Sequence, residues 1–207
     1  MEHPNLVWSQ PLIGATERSR LLGQRGGLVW FTGLPGAGKS TVAGAVEAEL
    51  YRQGRATYLL DGDNLRHGLC SDLGFSAADR RENLRRVAEV AALMVDAGLF
   101  VLAAFVSPSA EDRARVAGRL GADHWLEVHV ATPLEVCEAR DPKGHYAKAR
   151  RGELAHFTGV SAPYEAPAAA DLRINTAEFT PAQVATAVVA VMVARGWLSL
   201  SGESGPD

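Results

Sequence analysis

Lysine is almost missing from this chain. Of 21 basic residues only Lys39, Lys143 and Lys148 are lysine, and arginine fills every other basic position. Acidic residues number 24, so the net charge is −3 and no overall positive field attracts nucleic acid or a membrane surface. Cysteine is equally scarce. Cys70 and Cys137 stand far apart and outside any CxxC spacing. That excludes a disulfide scaffold and a thiolate zinc site, and it suits a reducing compartment. The six histidines show no HxxxH spacing, so no metal site is expected from them. The first ten residues lack a charged segment followed by an apolar one, so no signal peptide is expected. Apolar runs such as Val184–Ala194 are shorter than the roughly 20 residues that span a bilayer. The expectation is a cytoplasmic protein with neither nucleic-acid nor membrane partners.

What is present is an ordinary globular composition, 207 residues with 47% apolar, which suits one domain with a substantial core. Short apolar runs alternate with helical segments. Strands are expected at Leu28–Thr32, Ala56–Leu60, Phe100–Val106, Trp125–Val130 and, weakly, Leu172–Asn175. Helices are expected at Lys39–Gln53, Ala77–Ala97 and Ser109–Leu120, after Thr132, and from Thr180 to Arg195. Ser76, Thr132 and Thr180 are the expected N-caps. This order predicts an α/β fold with a parallel sheet of about five strands and helices on both faces. Residues 1–27 read as a turn-rich surface arm, 28–198 as the domain and 199–207 as a disordered tail. Ligands of such sheets bind at the carboxyl ends of the strands.

The strongest motif lies there. Gly33, Leu34, Pro35, Gly36, Ala37, Gly38, Lys39 and Ser40 match G-x-x-x-x-G-K-[ST] between a strand and a helix. Glycines let backbone N–H groups curl around phosphate oxygens, and the helix N-terminus adds positive potential. Lys39 is placed to reach the β/γ-phosphates of ATP, and Ser40, or Thr41 beside it, to hold Mg²⁺. A dinucleotide-binding turn also uses G-x-x-G-x-G, but it has no use for a lysine aimed at a terminal phosphate. The third strand ends without an acid. The second ends in Asp61-Gly62-Asp63, so these two aspartates are the candidates for metal binding and for activating a hydroxyl. Turn formation or helix capping by one of them remains the alternative.

Three stretches carry a more specific signal: Leu60–Leu69, Asp72–Ser76 and Asp79–Arg86. With Phe105–Pro108, Cys137–Arg150, Phe157–Gly159, Pro163–Pro167 and the arm Asn5–Trp8, they closely resemble the adenylyl-sulfate (APS) kinase family over nearly the whole chain. The resemblance implies a three-layer P-loop NTPase fold with a basic lid at about residues 140–160. It implies transfer of the γ-phosphate of ATP to the ribose 3′-hydroxyl of adenylyl sulfate, with Mg²⁺, by a homodimer.

By the same resemblance, Arg66, Arg80 and Asn83 hold the phosphosulfate side of the acceptor, which a planar guanidinium fork suits. Taken alone, Arg80 reads instead as an exposed helix charge pairing with Asp79 or Glu82. Phe75 and Phe157 match the two aromatic rings that sandwich the acceptor adenine. Val106 and Ser107 contact the acceptor. No base is evident beside Ser107, which favours direct transfer over a phosphoserine carrier. Arg140 lies against the ATP adenine, and Lys143 and Lys148 approach phosphate or sulfate from a lid that excludes water. Two departures fall in the lid, His145 and Ala147, where the family often has Leu and Lys. The three lysines thus all sit in motifs expected to meet the transferred phosphate or its acceptor. Two rival functions remain: a nucleotide-sensing domain without turnover, and a kinase of another small hydroxyl metabolite.

Overall fold

The structure is a computed structural model and describes residues 7, 9 and 11–199. Asn5, Leu6 and Trp8 of the arm, and the tail from residue 200, lie outside the described residues. Among those described, five strands form one sheet: β1 (Gly27–Thr32), β2 (Thr57–Asp61), β3 (Phe100–Ala104), β4 (Trp125–Val130) and β5 (Leu172–Ile174). Their order is β2-β3-β1-β4-β5 and every pairing is parallel. The helices are α1 (Ala15–Leu22), α2 (Lys39–Arg52), α3 (Gly62–Leu65), α4 (Ala77–Asp96), α5 (Ala110–Leu120), α6 (Leu134–Arg140), α7 (His145–Arg150) and α8 (Pro181–Ala194). None is long and apolar enough to cross a membrane.

The central strand shows why the sheet is covered on both faces. All six residues of β1 are buried. Leu28 and Trp30 join a core with Leu84, Val87 and Ala91 of α4 and Val116 of α5. Val29 and Phe31 point the other way, into a core with Val42, Val46 and Leu50 of α2 and Val184, Val188 and Met192 of α8. A strand buried on both sides reads as a continuous apolar run, which is what Leu28–Thr32 is. The chain leaves β1 toward β2 and β3, then crosses back to β4 and β5. The loop after β1 therefore lies where the strand order changes direction, the usual ligand crevice of open parallel sheets.

Besides one-residue shifts of strand ends and the short α3, three local features differ from the sequence expectation. The arm contains α1, none of whose residues is buried. Its start is capped, Gly14 N donating to Glu17 Oε2 at 2.9 Å, and mid-helix Arg18 pairs with Asp96 at the end of α4. β3 stops at Ala104 rather than Val106. Phe105 N still reaches Phe31 O, and the chain then turns at Ser107, whose φ is 38°. Thr132 does not cap α6; Pro133 occupies that position and the Thr132 hydroxyl is used elsewhere. The other two caps form as spaced, Ser76 accepting from Asp79 N and Thr180 from Gln183 N.

Candidate active site

The loop Gly33–Gly38 links buried β1 to the first turn of α2, and its carbonyls all find donors. Lys39 Nζ donates to Gly33 O at 3.0 Å and to Leu34 O at 2.8 Å. Tyr146 Oη donates to Pro35 O at 2.9 Å. Arg140 Nη1 reaches Gly36 O at 3.5 Å. The Thr132 and Thr176 hydroxyls lie 3.1 and 2.8 Å from Ala37 O. With the carbonyls held in this way, the N–H groups of Gly36, Gly38, Lys39 and Ser40 take no protein acceptor among the described residues. A row of free amides at a helix N-terminus is an anion site. Two glycines permit the shape. A Cβ at Gly33 would stand 2.4 Å from Val130 O, and Gly38 enters α2 at φ 94°.

Lys39 is only 9% exposed. Burial lowers its ammonium to about 8, against the opposing pull of Cys137, Asp63 and Asp61. Ser40 Oγ donates to Asp61 Oδ2 at 2.6 Å. The other Asp61 oxygen accepts from Asp63 N at 2.9 Å and Asn64 N at 3.3 Å, capping α3. Asp61 therefore performs both jobs that the sequence left as alternatives, cap and partner of the loop serine. This hydroxyl–carboxylate pair offers hard oxygens in the open. It fits Mg²⁺, which takes few protein ligands and completes its shell with water and phosphate. No group of three or more His, Cys, Asp or Glu side chains that would cage a metal occurs among the described residues. Thr41 is exposed on α2 and makes no side-chain hydrogen bond among the described residues. Asp63 is ion-paired with Lys143, which reaches across from the segment between α6 and α7.

The residues expected on the acceptor side gather around Arg80. Its Nε donates to Phe75 O at 3.0 Å, Nη1 to Thr158 Oγ1 at 2.8 Å and Nη2 to His156 O at 2.8 Å. Arg80 thus ties the Phe75 turn to the Phe157 loop and pairs with neither Asp79 nor Glu82. Asp79 is engaged with Ser76, and Glu82 with Arg85 and Arg86. Half burial, then the like charge of Arg66, pulls the Arg80 guanidinium below its ordinary value. Arg66 donates to Leu73 O and Gly74 O and stacks on the Phe75 ring at 4.3 Å. Neither arginine has a carboxylate partner among the described residues, so the pair keeps its attraction for an anion. Phe75 is exposed, as a ring awaiting a flat partner would be. Phe157 is half-buried with its face set by Tyr146, which meets it edge-on. Asn83 is buried, and its Nδ2 has no hydrogen-bond partner among the described residues, an open donor on the same helix as Arg80.

Val106 and Ser107 are tied into the scaffold. Val106 O accepts from the Thr32 hydroxyl at 2.9 Å. Ser107 Oγ is buried, accepts from Trp30 Nε1 at 3.1 Å and donates to Thr32 Oγ1 at 2.8 Å. Among the described residues no carboxylate or imidazole bonds it. The turn is held from behind by buried Arg113, which donates to Ser107 O and Glu165 O at 2.7 Å each. Its Nε lies 3.0 Å from Glu127 as an ion pair rather than a well-aligned hydrogen bond.

In the basic segment, Arg140 donates to both Thr176 Oγ1 and Thr176 O, at 2.7 and 3.0 Å, which seats it beside the phosphate loop. Lys148 is exposed on α7 and makes no ion pair among the described residues. His145 meets Phe157 edge-on at 6.1 Å. Sequence reasoning missed four contributors: Tyr146, Thr158, Thr176 and the hydroxyl of Thr132. Tyr146 and Thr158 lay inside quoted motifs with no role attached. Thr132 and Thr176 act through tertiary contacts that leave no periodic signal.

Known proteins resemble this chain closely. The family model for adenylylsulphate kinase matches residues 25–175. An adenylyl-sulfate kinase of Shewanella oneidensis is 63% identical over 174 residues, 84% of this chain and 85% of that protein. The solved structure of a Mycobacterium tuberculosis APS kinase in complex with AMPPNP and APS superposes with a TM-score of 0.78 at 51% identity, covering 82% of this chain and 99% of that one. A hexameric APS kinase from Thiobacillus denitrificans superposes with a TM-score of 0.66 at 30% identity, covering 89% of this chain and 32% of that one.

Proposed function

The chain belongs to the adenylylsulphate kinase family, and from that premise we propose how its own residues carry the reaction. The γ-phosphate of ATP passes to the ribose 3′-hydroxyl of adenylyl sulfate, giving ADP and 3′-phosphoadenylyl sulfate. The free amides of Gly36, Gly38, Lys39 and Ser40 receive the phosphates of ATP. Leu34, Pro35, Ala37 and Thr41 shape that loop and its helix. Arg140, seated against Thr176, flanks the ATP base. Lys39 exchanges its loop carbonyls for phosphate oxygens and neutralises charge as the bond to the leaving ADP breaks. Ser40 and Asp61 hold Mg²⁺, which when bound neutralises the phosphate oxygens. Asp63 orients the 3′-hydroxyl and accepts its proton.

On the acceptor side, Phe75 and Phe157 take the adenine between them. Arg66, Arg80 and Asn83 face the phosphosulfate, and Val106 and Ser107 form the floor. Lys143 and Lys148 belong to a lid over residues 140–160 that keeps water from the phosphate. The observation that supports this division most directly is the Arg80 bridge. One guanidinium spans the two loops that bear the aromatic rings and stands beside a second guanidinium that lacks a carboxylate. The same reading makes the working form a cytoplasmic homodimer, which light scattering tests as twice the chain mass.

A coupled ADP-release assay with adenylyl sulfate, gluconate and shikimate as separate acceptors tests the function. Release with adenylyl sulfate alone is expected. Release with none would leave a sensor domain, and release with gluconate or shikimate another kinase. Asp63→Ala should lower turnover by a factor on the order of 10² or more while nucleotide binding survives. Near-normal turnover would remove Asp63 from the chemistry.

A further inference from the structure

Tyr146 touches both halves of the site and has no role in the reaction as set out above. It lies on α7, is 2% exposed, and belongs to the core under α2. Its hydroxyl donates to Pro35 O, inside the phosphate loop. Its ring meets Phe157 edge-on, with centroids 5.0 Å apart and planes at 84°. Phe157 stands between His156 and Thr158, the two residues that Arg80 grips. Both oxygens of Asp141 fix the start of α7, accepting from Tyr146 N and Ala147 N at 3.0 Å each.

A tyrosine needed only for volume could be phenylalanine. A buried phenol keeps its place when its hydroxyl has a partner, and here the partner is a carbonyl of the loop that receives phosphate. A phenol is a donor at neutral pH, and burial raises this one further above its ordinary range. The hydroxyl's bond to the loop and the ring's edge-on contact with Phe157 make one side chain the connection between the two binding sites.

We propose that Tyr146 is a positioning residue that couples nucleotide binding on the phosphate loop to acceptor binding at Phe157. Setting the loop sets Tyr146, and Tyr146 sets the ring on which the acceptor base stacks. By linkage, acceptor binding favours the nucleotide-binding loop by the same factor. The inference rests on the reading of Phe157 as an acceptor-stacking ring.

Titration calorimetry of the full chain tests it. The dissociation constant of adenylyl sulfate is measured with and without a saturating β,γ-imido ATP analogue and Mg²⁺, and the ratio of the two constants is the coupling. Tyr146→Phe keeps the ring and removes the hydroxyl. We expect the wild-type ratio to exceed one and the variant's to fall about three- to tenfold toward one, the worth of one such hydrogen bond. Each ligand measured alone should change less than about twofold, and the melting temperature by a few degrees at most. Tyr146→Leu, which also loses the edge contact, should lose the coupling at least as fully. A ratio in Tyr146→Phe equal to the wild-type value overturns the proposal, as does a wild-type ratio of one. Equal weakening of both ligands at an unchanged ratio reduces Tyr146 to a structural role and also overturns it. Failure of adenylyl sulfate to bind the wild type overturns the acceptor assignment, and this inference with it.

Discussion

Lys39 should give nucleotide binding an upper pH limit near 8. Its ammonium is buried and bonded to two loop carbonyls, and burial lowers it from 10.5 to about 8. That difference corresponds to about 3 kcal/mol against the charged form in the ligand-free loop. Between about pH 8 and 10.5 the unfolded chain binds this proton and the folded one does not. This group therefore costs stability below pH 8, and the cost is relieved as pH rises through that window. Nucleotide binding runs the other way. A polyphosphate favours the ammonium, so affinity is fully expressed below about pH 8 and falls above it by at most about tenfold per pH unit. Calorimetric titration with a non-hydrolysable ATP analogue and Mg²⁺, from about pH 7 to 9.5, reads this directly. Repeating it in buffers of different ionisation enthalpy counts the protons taken up. The expected result is near-constant affinity to about pH 8, a loss of roughly tenfold by pH 9 and about thirtyfold by pH 9.5, and proton uptake that grows across the break. Lys39→Arg, charged throughout, should bind more weakly but without the break. Constant wild-type affinity over the whole range, with no proton uptake, would refute the buried-ammonium reasoning.

Three further outcomes follow from the same contacts. Arg80→Ala releases the Phe75 and Phe157 loops together, so the KM for adenylyl sulfate should rise about tenfold or more while the KM for ATP stays within about threefold; equal changes in both would contradict the bridge. Arg113→Met strips the buried partner from Glu127 and two carbonyls, and urea denaturation should show a loss of about 3–5 kcal/mol, whereas a loss under about 1 would mean the pair is not structural. Lys143→Arg should lower kcat about tenfold although it keeps the charge, because a bulky fork replaces a compact ammonium at Asp63; Lys148→Arg, on an exposed helix face, should lower it only about two- to threefold, and steady-state kinetics decides.

Where burial and pattern coincide, the chain announces its fold in its own residues. β4 spans Trp125–Val130 as expected, and β1 begins one residue early, at Gly27. β1 is an apolar run buried on both faces, whereas β4 alternates apolar Leu126, Val128 and Val130 with Glu127 and His129. α1 was illegible because it buries nothing, and α3 because four residues hold no period. At the site, residues inside contiguous motifs could be read: the loop Gly33–Ser40 carries its chemistry in its spacing. Arg80 could not be read from its neighbours. Its local sequence offers Asp79 and Glu82, but Ser76, Arg85 and Arg86 claim those acids first, and the guanidinium turns to residues 76 and 78 positions away. Asp61 and Asp63 looked equivalent around Gly62. Only the fold separates them, one toward Ser40 and the other toward Lys143.

The bracket on Ala37 also bears on how the protein is made. Its two threonines follow β4 and β5, at positions 132 and 176, whereas the loop they hold begins at residue 33. A chain growing from its N-terminus exposes the phosphate motif when less than a fifth of it has been synthesised. Lys39 can hold the Gly33 and Leu34 carbonyls from within the motif, but the bracket on Ala37 O is complete only once residue 176 has left the ribosome. Translation therefore supplies the contacts that complete the loop, from Thr132, Arg140, Tyr146 and Thr176, only after more than half of the chain has been made.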